Sequence, residues 1–402
     1  MKLDKIDGRR LVPCAAALAA CLMPVLETQA LALPVVQTNL VTDDQSVLAG
    51  LGYGPAASVD PHLINPWGVA FAPTGPFWVS NQGDGTSTLY NGSATVLPLV
   101  VKTPGSSVGP SGPTGQVFSG GTGFKLADGN PGRFFFANLD GSISGWNPAG
   151  GTTATRVVGT STSDRPAIYT GLAIGQVGDQ SYLYAANGAT GRVDAFNSTF
   201  GAASLAGNFA DPGANPNGFV PFNIATIGGH VFVTYATAGP DADEAGLGAG
   251  FVSEFNPDGT FVRRLTSGGP LASPWGLALA PSSFGDLAGS LLVANFSEDF
   301  GTINAFSLAD GSFLGSLDGP GGQPINIPYL WSILTGNGAA GGSQDSLYFT
   351  AGIGDEEHSL LGRFDVGAIP EPASWAMMTI GMGLIGGMTR RVRQRAAAGL
   401  AV

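Results

Sequence analysis

The chain has 402 residues, among them 63 glycines and 28 prolines, and only 11% are charged. Its 44% hydrophobic content excludes a disordered chain, the Gly and Pro excess excludes helical bundles, and the missing Gly-X-Y period excludes collagen. The net charge of −12 averages unlike parts: residues 33–369 hold 9 cations against 25 acids, which disfavours nucleic acid and favours soluble cations as partners.

Residues 1–32 read as a signal peptide. Lys2, Lys5, Arg9 and Arg10 precede an apolar run, Leu11–Leu26, the expected signal helix. Ala30-Leu31-Ala32 follows as a small-residue site for signal peptidase, with cleavage set by Ala30 and Ala32. Leu18-Ala19-Ala20-Cys21 also matches a lipobox, so a lipid on Cys21 stays open. Cys14 and Cys21 are the only cysteines, so a chain cut after Ala32 has no thiol and depends on its core.

Residues 33–368 are predicted to be all-β, a six-bladed β-propeller. Six stretches share a pattern of short β runs. Their anchors are Gly68, Gly123, Gly171, Asn223, Gly276 and Trp331, at spacings of 55, 48, 52, 53 and 55. Pro66-Trp67-Gly68 and Pro274-Trp275-Gly276 lead into inner strands. There Pro restricts the approach, Trp fills the gap between blades and Gly allows close backbone passage. Asn81, Asn138, Asn187 and Asn295 close the second strands, where Asn suits a turn. Tyr90, Trp146, Phe196, Phe255, Phe306 and Phe364 are expected on third strands, packing between blades. The last unit shows only three strands, and residues 35–42 form an orphan strand predicted to complete it. Residues 103–115, 239–250, 318–324 and 336–345 read as loops, where function often sits.

The C-terminus, 369–395, carries the most specific motif. Pro370-Glu371-Pro372 precedes an uncharged stretch, 373–389, expected as a transmembrane helix, and a cluster beginning at Arg390 and Arg391. Residues 396–402 form a tail. The segment resembles the PEP-CTERM sorting signal of Gram-negative bacteria. The resemblance implies export, an exosortase that processes the chain at Pro-Glu-Pro, a membrane partner through the helix, and a link to extracellular polymer. The repeats are similar to NHL-type propellers. Asn39-Leu40-Val41, Asn65-Pro66-Trp67-Gly68 and Leu89-Tyr90 resemble an uncharacterised family of exported PEP-CTERM proteins. That likeness spans most of residues 35–366 and implies a propeller without an established activity.

No nucleophile–base set or nucleotide fingerprint is present. His62 and His230 read as solvated or packed rather than catalytic, and His358, after Asp355-Glu356-Glu357, reads as part of an exposed acidic turn with a metal site as the alternative. Asp241, Asp243 and Glu244 offer hard oxygen ligands for Ca²⁺, although a full EF-hand spacing is missing. The recurring asparagines could line a tunnel metal, as in lactonase-like propellers; recurrence in four units favours a structural turn. Three functions follow. The first is a surface or matrix protein holding glycan or protein ligands. The alternatives are a metal-dependent hydrolase of the lactonase type and a structural matrix protein without a specific ligand.

Overall fold

The computed structural model describes residues 34–106, 111–159 and 167–367. The chain opens with β1 (Val35–Thr42), a short helix α1 (Gln45–Gly50) and β2 (Ser58–Val59). Blade 1 is β3 (Pro66–Ala70), β4 (Phe77–Asn81), β5 (Thr86–Tyr90) and β6 (Val96–Lys102). Blade 2 is β7 (Pro113–Phe118), β8 (Phe134–Asn138), β9 (Ile143–Trp146) and β10 (Thr155–Val158). Blade 3 has three strands, β11 (Tyr169–Val177), β12 (Gln180–Asn187) and β13 (Arg192–Phe196). Blade 4 is β14 (Val220–Ile227), β15 (His230–Ala236), β16 (Phe251–Phe255) and β17 (Phe261–Ser267). Blade 5 is β18 (Pro274–Leu279), β19 (Leu291–Asn295), β20 (Ile303–Phe306) and β21 (Phe313–Ser316). Blade 6 is β22 (Leu330–Thr335), β23 (Leu347–Ala351) and β24 (Leu360–Val366), joined by β1 antiparallel to β24 and by β2 on the outer edge.

The inner strands β3, β7, β11, β14, β18 and β22 each adjoin the next, and β22 adjoins β3. This closed ring of six sheets is a six-bladed β-propeller. A single sheet has two faces to bury, and the ring buries both. The second strands of blades 1, 2, 5 and 6 are buried along their whole length. Each third-strand aromatic lies in a cluster shared with the preceding blade. Trp146 meets Trp78, Phe196 meets Phe135, Phe255 meets Tyr184, Phe306 meets Phe232, Phe364 meets Leu292, and Tyr90 meets Tyr348 across the closure.

Two expectations need correction. The first concerns helices. The reading above adds a signal helix within 1–32 and a membrane-crossing helix at 373–389 to the propeller. The fold as described is all-β without either. Among the described residues the longest helix is six-residue α1, and none is long and apolar enough to cross a membrane. Six residues rise about 9 Å, against the roughly 30 Å of a hydrocarbon core. Residues 1–32 and 373–389 lie outside the described residues, and attachment to a membrane through a C-terminal helix is dropped as a partner. The second concerns register. Blade 2 begins at Pro113-Thr114-Gly115, inside the stretch read as a loop, and Gly123 lies in the β7–β8 connection. Pro113-Thr114-Gly115 is the same lead-in as Pro66-Trp67-Gly68, hidden by a Gly-, Ser- and Pro-rich neighbourhood. In blade 6 the residue matching Gly68 is Ser332, and Trp331 matches Trp67.

Candidate functional site

Every inner strand carries one extra residue near its start. In blade 1 Pro66 faces Asn81 but Val69 faces Val79. The same shift occurs between Pro113 and Gln116, Tyr169 and Gly171, Pro221 and Asn223, Pro274 and Gly276, and Leu330 and Ile333. Such a bulge re-aims one side chain out of the normal alternation. The residues at this place are Trp67, Thr114, Thr170, Phe222, Trp275 and Trp331. The four large ones form a cluster of their own with Phe296 and Tyr329, separate from the six inter-blade clusters. Trp67 stacks on Trp331 at 3.5 Å, Phe296 stacks on Trp331 at 4.0 Å, and Trp275 stands edge-on to both tryptophans at 6.3 and 5.6 Å. Trp275 Nε1 reaches across to donate to the Thr170 carbonyl at 3.1 Å. The sequence reading put the tryptophans between neighbouring blades, whereas the bulge brings those of blades 1, 5 and 6 together at the axis.

Glycines let the ring draw tight beside this plug. A Cβ on Gly68 would lie 2.5 Å from the Thr114 carbonyl oxygen, and one on Gly115 2.2 Å from the Leu172 nitrogen. Below the plug the axis holds a cavity of about 430 Å³, with Trp275 and Asn223 among its lining residues. Asn223 Nδ2 donates to the Trp275 carbonyl at 2.8 Å.

Inner strands start and second strands end on one side of the ring, since Pro66, Pro113, Tyr169 and Pro274 pair with Asn81, Asn138, Asn187 and Asn295. Turns on that side carry eight acids: Asp241, Asp243 and Glu244 in blade 4, Glu298 and Asp299 in blade 5, Asp355, Glu356 and Glu357 in blade 6. Near the axis four of them, Asp243, Glu298, Asp355 and Glu356, meet. The Tyr329 hydroxyl donates to Asp355 Oδ1 at 3.1 Å. Burial first, then the bond to Asp355 and the charges of Glu298 and Asp243, push the Tyr329 phenol well above its ordinary pKa. Glu356 is also raised, by burial and the charge of Asp243, against an opposing hydrogen bond from Asn65. Asn65 Nδ2 donates to Glu356 Oε1 at 3.0 Å and to Gln82 Oε1 at 2.9 Å, while its Oδ1 accepts from Trp331 Nε1 at 3.0 Å. Asn65, Ser273, Tyr329, Asp355 and Glu356 all have positive φ, between 45° and 64°. Such strained residues cluster where a structure over-determines them, often at working sites.

Asp241 and Glu244 are exposed, and half-buried Asp243 accepts the Glu244 N–H at 2.9 Å while its carbonyl takes the Glu298 N–H. Among the described residues no group of three or more His, Cys, Asp or Glu is gathered as a metal would need. The four asparagines lie in their own blades' turns rather than at the axis. Asn81 Nδ2 donates to Thr86 and Thr88, Asn138 Nδ2 to Ser142, Asn187 Nδ2 to Asp194, and Asn295 Nδ2 to Thr302 and the Pro270 carbonyl. Each histidine pairs with one carboxylate: His62 with Asp84 at 2.8 Å, His230 with Glu254 at 3.0 Å, His358 with Asp43 at 2.6 Å. Ala30, Ala32, Cys21, Pro370, Glu371, Pro372, Arg390 and Arg391 lie outside the described residues.

The PEP-CTERM protein-sorting motif matches residues 368–394. Fold and motif together define an exported β-propeller protein, directed toward the cell envelope or the extracellular space. The chain is 31% identical over 320 residues to "Uncharacterized protein R648" of Acanthamoeba polyphaga mimivirus, covering 76% of each. "Uncharacterized protein L690" of the same virus is 31% identical over 304 residues, covering 72% of this chain and 76% of its own. The chain belongs to the family that these proteins represent. Among solved structures it is similar to a protein of unknown function from Bacteroides thetaiotaomicron, at 14% identity and a TM-score of 0.46 over 83% of this chain and 76% of that one. It is also similar to virginiamycin B lyase from Staphylococcus aureus, at 10% identity and a TM-score of 0.45 over 83% and 99%.

Proposed function

We propose that this is an NHL-like propeller that works as a binding protein at the cell surface or in the extracellular matrix. Signal peptidase would release it after Ala32, and an exosortase would process it at Pro370-Glu371-Pro372. It belongs with the exported PEP-CTERM proteins whose propellers lack an assigned activity. One observation carries the reading: acidic turns from blades 4, 5 and 6 converge above an axis closed by tryptophans. That face attracts ligands bearing cationic groups, whether on a protein or on an amino-substituted glycan, and repels phosphate backbones.

The test is a solid-phase screen of the purified protein against immobilised glycans and basic proteins. Binding should fall with added salt, because exposed charges are screened. It should weaken in the double variant Asp243→Asn, Glu298→Gln. A chain that captures nothing beyond a neutral control protein is a matrix component without a specific ligand, and the reading fails. Asp241, Asp243 and Glu244 are kept as the candidate Ca²⁺ ligands. One tightly held Ca²⁺ per chain, lost together with a hydrolytic activity on their mutation, would turn the reading toward a metal-dependent hydrolase.

A further inference from the structure

Blade 3 is one strand short. In the other blades β6, β10, β17, β21 or β1 runs beside the third strand. After β13 the chain turns back only at the outer end, where Ala203 N–H donates to the Ala195 carbonyl at 2.8 Å and Phe196 bridges Ala202. It then leaves for blade 4, where Phe209 N–H bonds the Gly259 carbonyl. The place of the missing strand holds a cavity of about 1050 Å³.

Its polar groups have unused bonding capacity. Asp194 Oδ2 accepts from the Tyr169 hydroxyl at 3.0 Å and from Asn187 Nδ2 at 2.8 Å, while Oδ1 accepts nothing among the described residues. Thr190 Oγ1 is shut off from solvent without a partner. Arg192 is exposed, and its side chain has no ion pair or hydrogen bond among the described residues. Asn208 Oδ1 takes the Ala210 N–H at 3.3 Å, and its Nδ2 has no partner among the described residues. Two donors and one acceptor therefore line one cleft, with Thr190 buried beside them and Phe196 and Phe209 as its apolar wall. The volume is that of a small-ligand site.

We propose that this cleft binds a neutral saccharide. A sugar hydroxyl both donates and accepts, so neighbouring hydroxyls match a carboxylate oxygen beside guanidinium and amide donors. Asp194 Oδ1 accepts from one hydroxyl, and Arg192 and Asn208 donate to the next oxygens. A peptide strand fits less well, because Ala203 already occupies the Ala195 carbonyl that a full ladder would need. The proposal rests on the binding reading above, and it gives the glycan a cleft apart from the acidic face.

Calorimetric titration of the full purified protein with a panel of neutral oligosaccharides tests it. One or more should bind, and Arg192→Ala and Asp194→Asn should each weaken that sugar roughly tenfold or more, as expected for a lost hydrogen bond to a charged group. Arg192→Ala removes an exposed side chain that makes no hydrogen bond or ion pair among the described residues and should melt like the parent, so its result stands even if Asp194→Asn folds poorly. Unchanged affinity in Arg192→Ala and in a folded Asp194→Asn overturns the cleft. Sugar binding lost in Glu298→Gln but kept in both cleft variants moves the site to the acidic face and also overturns it. A protein that captures basic proteins but none of the panel refutes the saccharide cleft and leaves the general reading standing. Silence toward both refutes the two together.

Discussion

Blades 6 and 3 come from the same repeat and are finished in opposite ways. Blade 6 takes β1, from the far end of the described chain, as its fourth strand and β2 as a fifth. The seam is then pinned. Asp43, just past β1, accepts His358 Nδ1 at 2.6 Å, Ser359 N–H at 2.8 Å and the Ser359 hydroxyl at 2.9 Å, and Thr42 Oγ1 donates to the Ser359 carbonyl at 2.9 Å. Blade 3 has its neighbours in sequence on both sides and no seam to hold. Its missing strand leaves a cleft rather than a break. A closed ring needs every inner strand but not every outer one, so stability concentrates where the ends meet and room for a ligand opens where they do not.

The largest effect should come from breaking the seam. A chain lacking residues 34–44 exposes the edge of β24 and the buried partners of Val35, Leu40 and Val41. It should lose its cooperative thermal transition in circular dichroism. A normal melt would mean that β1 contributes little to holding the ring. A smaller loss should follow Ala203→Pro in blade 3. Proline has no N–H to donate to Ala195, and one hydrogen bond is worth about 1 kcal/mol. A loss as great as that from the seam deletion, read by urea titration, would erase the contrast between the blades.

The smallest effect concerns the acidic turn of blade 6. Glu356 has its pKa raised by burial, so the folded chain holds the proton better than the unfolded chain does. Its favourable contribution is therefore present below the ordinary carboxylate range and is lost as pH rises through the raised value. Glu356→Gln keeps an oxygen for Asn65 Nδ2 and removes the charge beside Asp243. It should raise the melting temperature slightly at neutral pH, with the gain vanishing as pH falls below the ordinary Glu range. A gain that grows toward acid would mean that the fold favours the charged form of Glu356.

Legibility in the sequence varied with how local each cause is. Pro66-Trp67-Gly68 and Pro274-Trp275-Gly276 stand out because their requirements are backbone requirements within three residues. Val35–Thr42 reads as a strand for the same reason. Pro113-Thr114-Gly115 escaped because Gly, Ser and Pro surround it, although Gln116, Val117 and Phe118 continue it as a strand. Trp331 is displaced by one position because blade 6 has Ser332 where blades 1, 2, 3 and 5 have Gly and blade 4 has Asn223. The site was harder still. Asp243, Glu298 and Asp355 lie more than fifty residues apart in pairs, yet all act on Tyr329.

Period, strand content, acidity and the sorting motif were thus determined by the sequence alone. Each rests on residue types counted along the chain or on spacing within a few residues. Which side chains meet at the axis was decided only by the tertiary structure. A bulge one residue long, repeated in six inner strands, turns Trp67, Trp275 and Trp331 inward, and ring closure then brings blades 1, 5 and 6 together. The open edge of blade 3 is likewise a matter of pairing. The residues after Phe196 contain nothing that marks them as a missing strand, and their departure toward blade 4 opens the cleft beside β13.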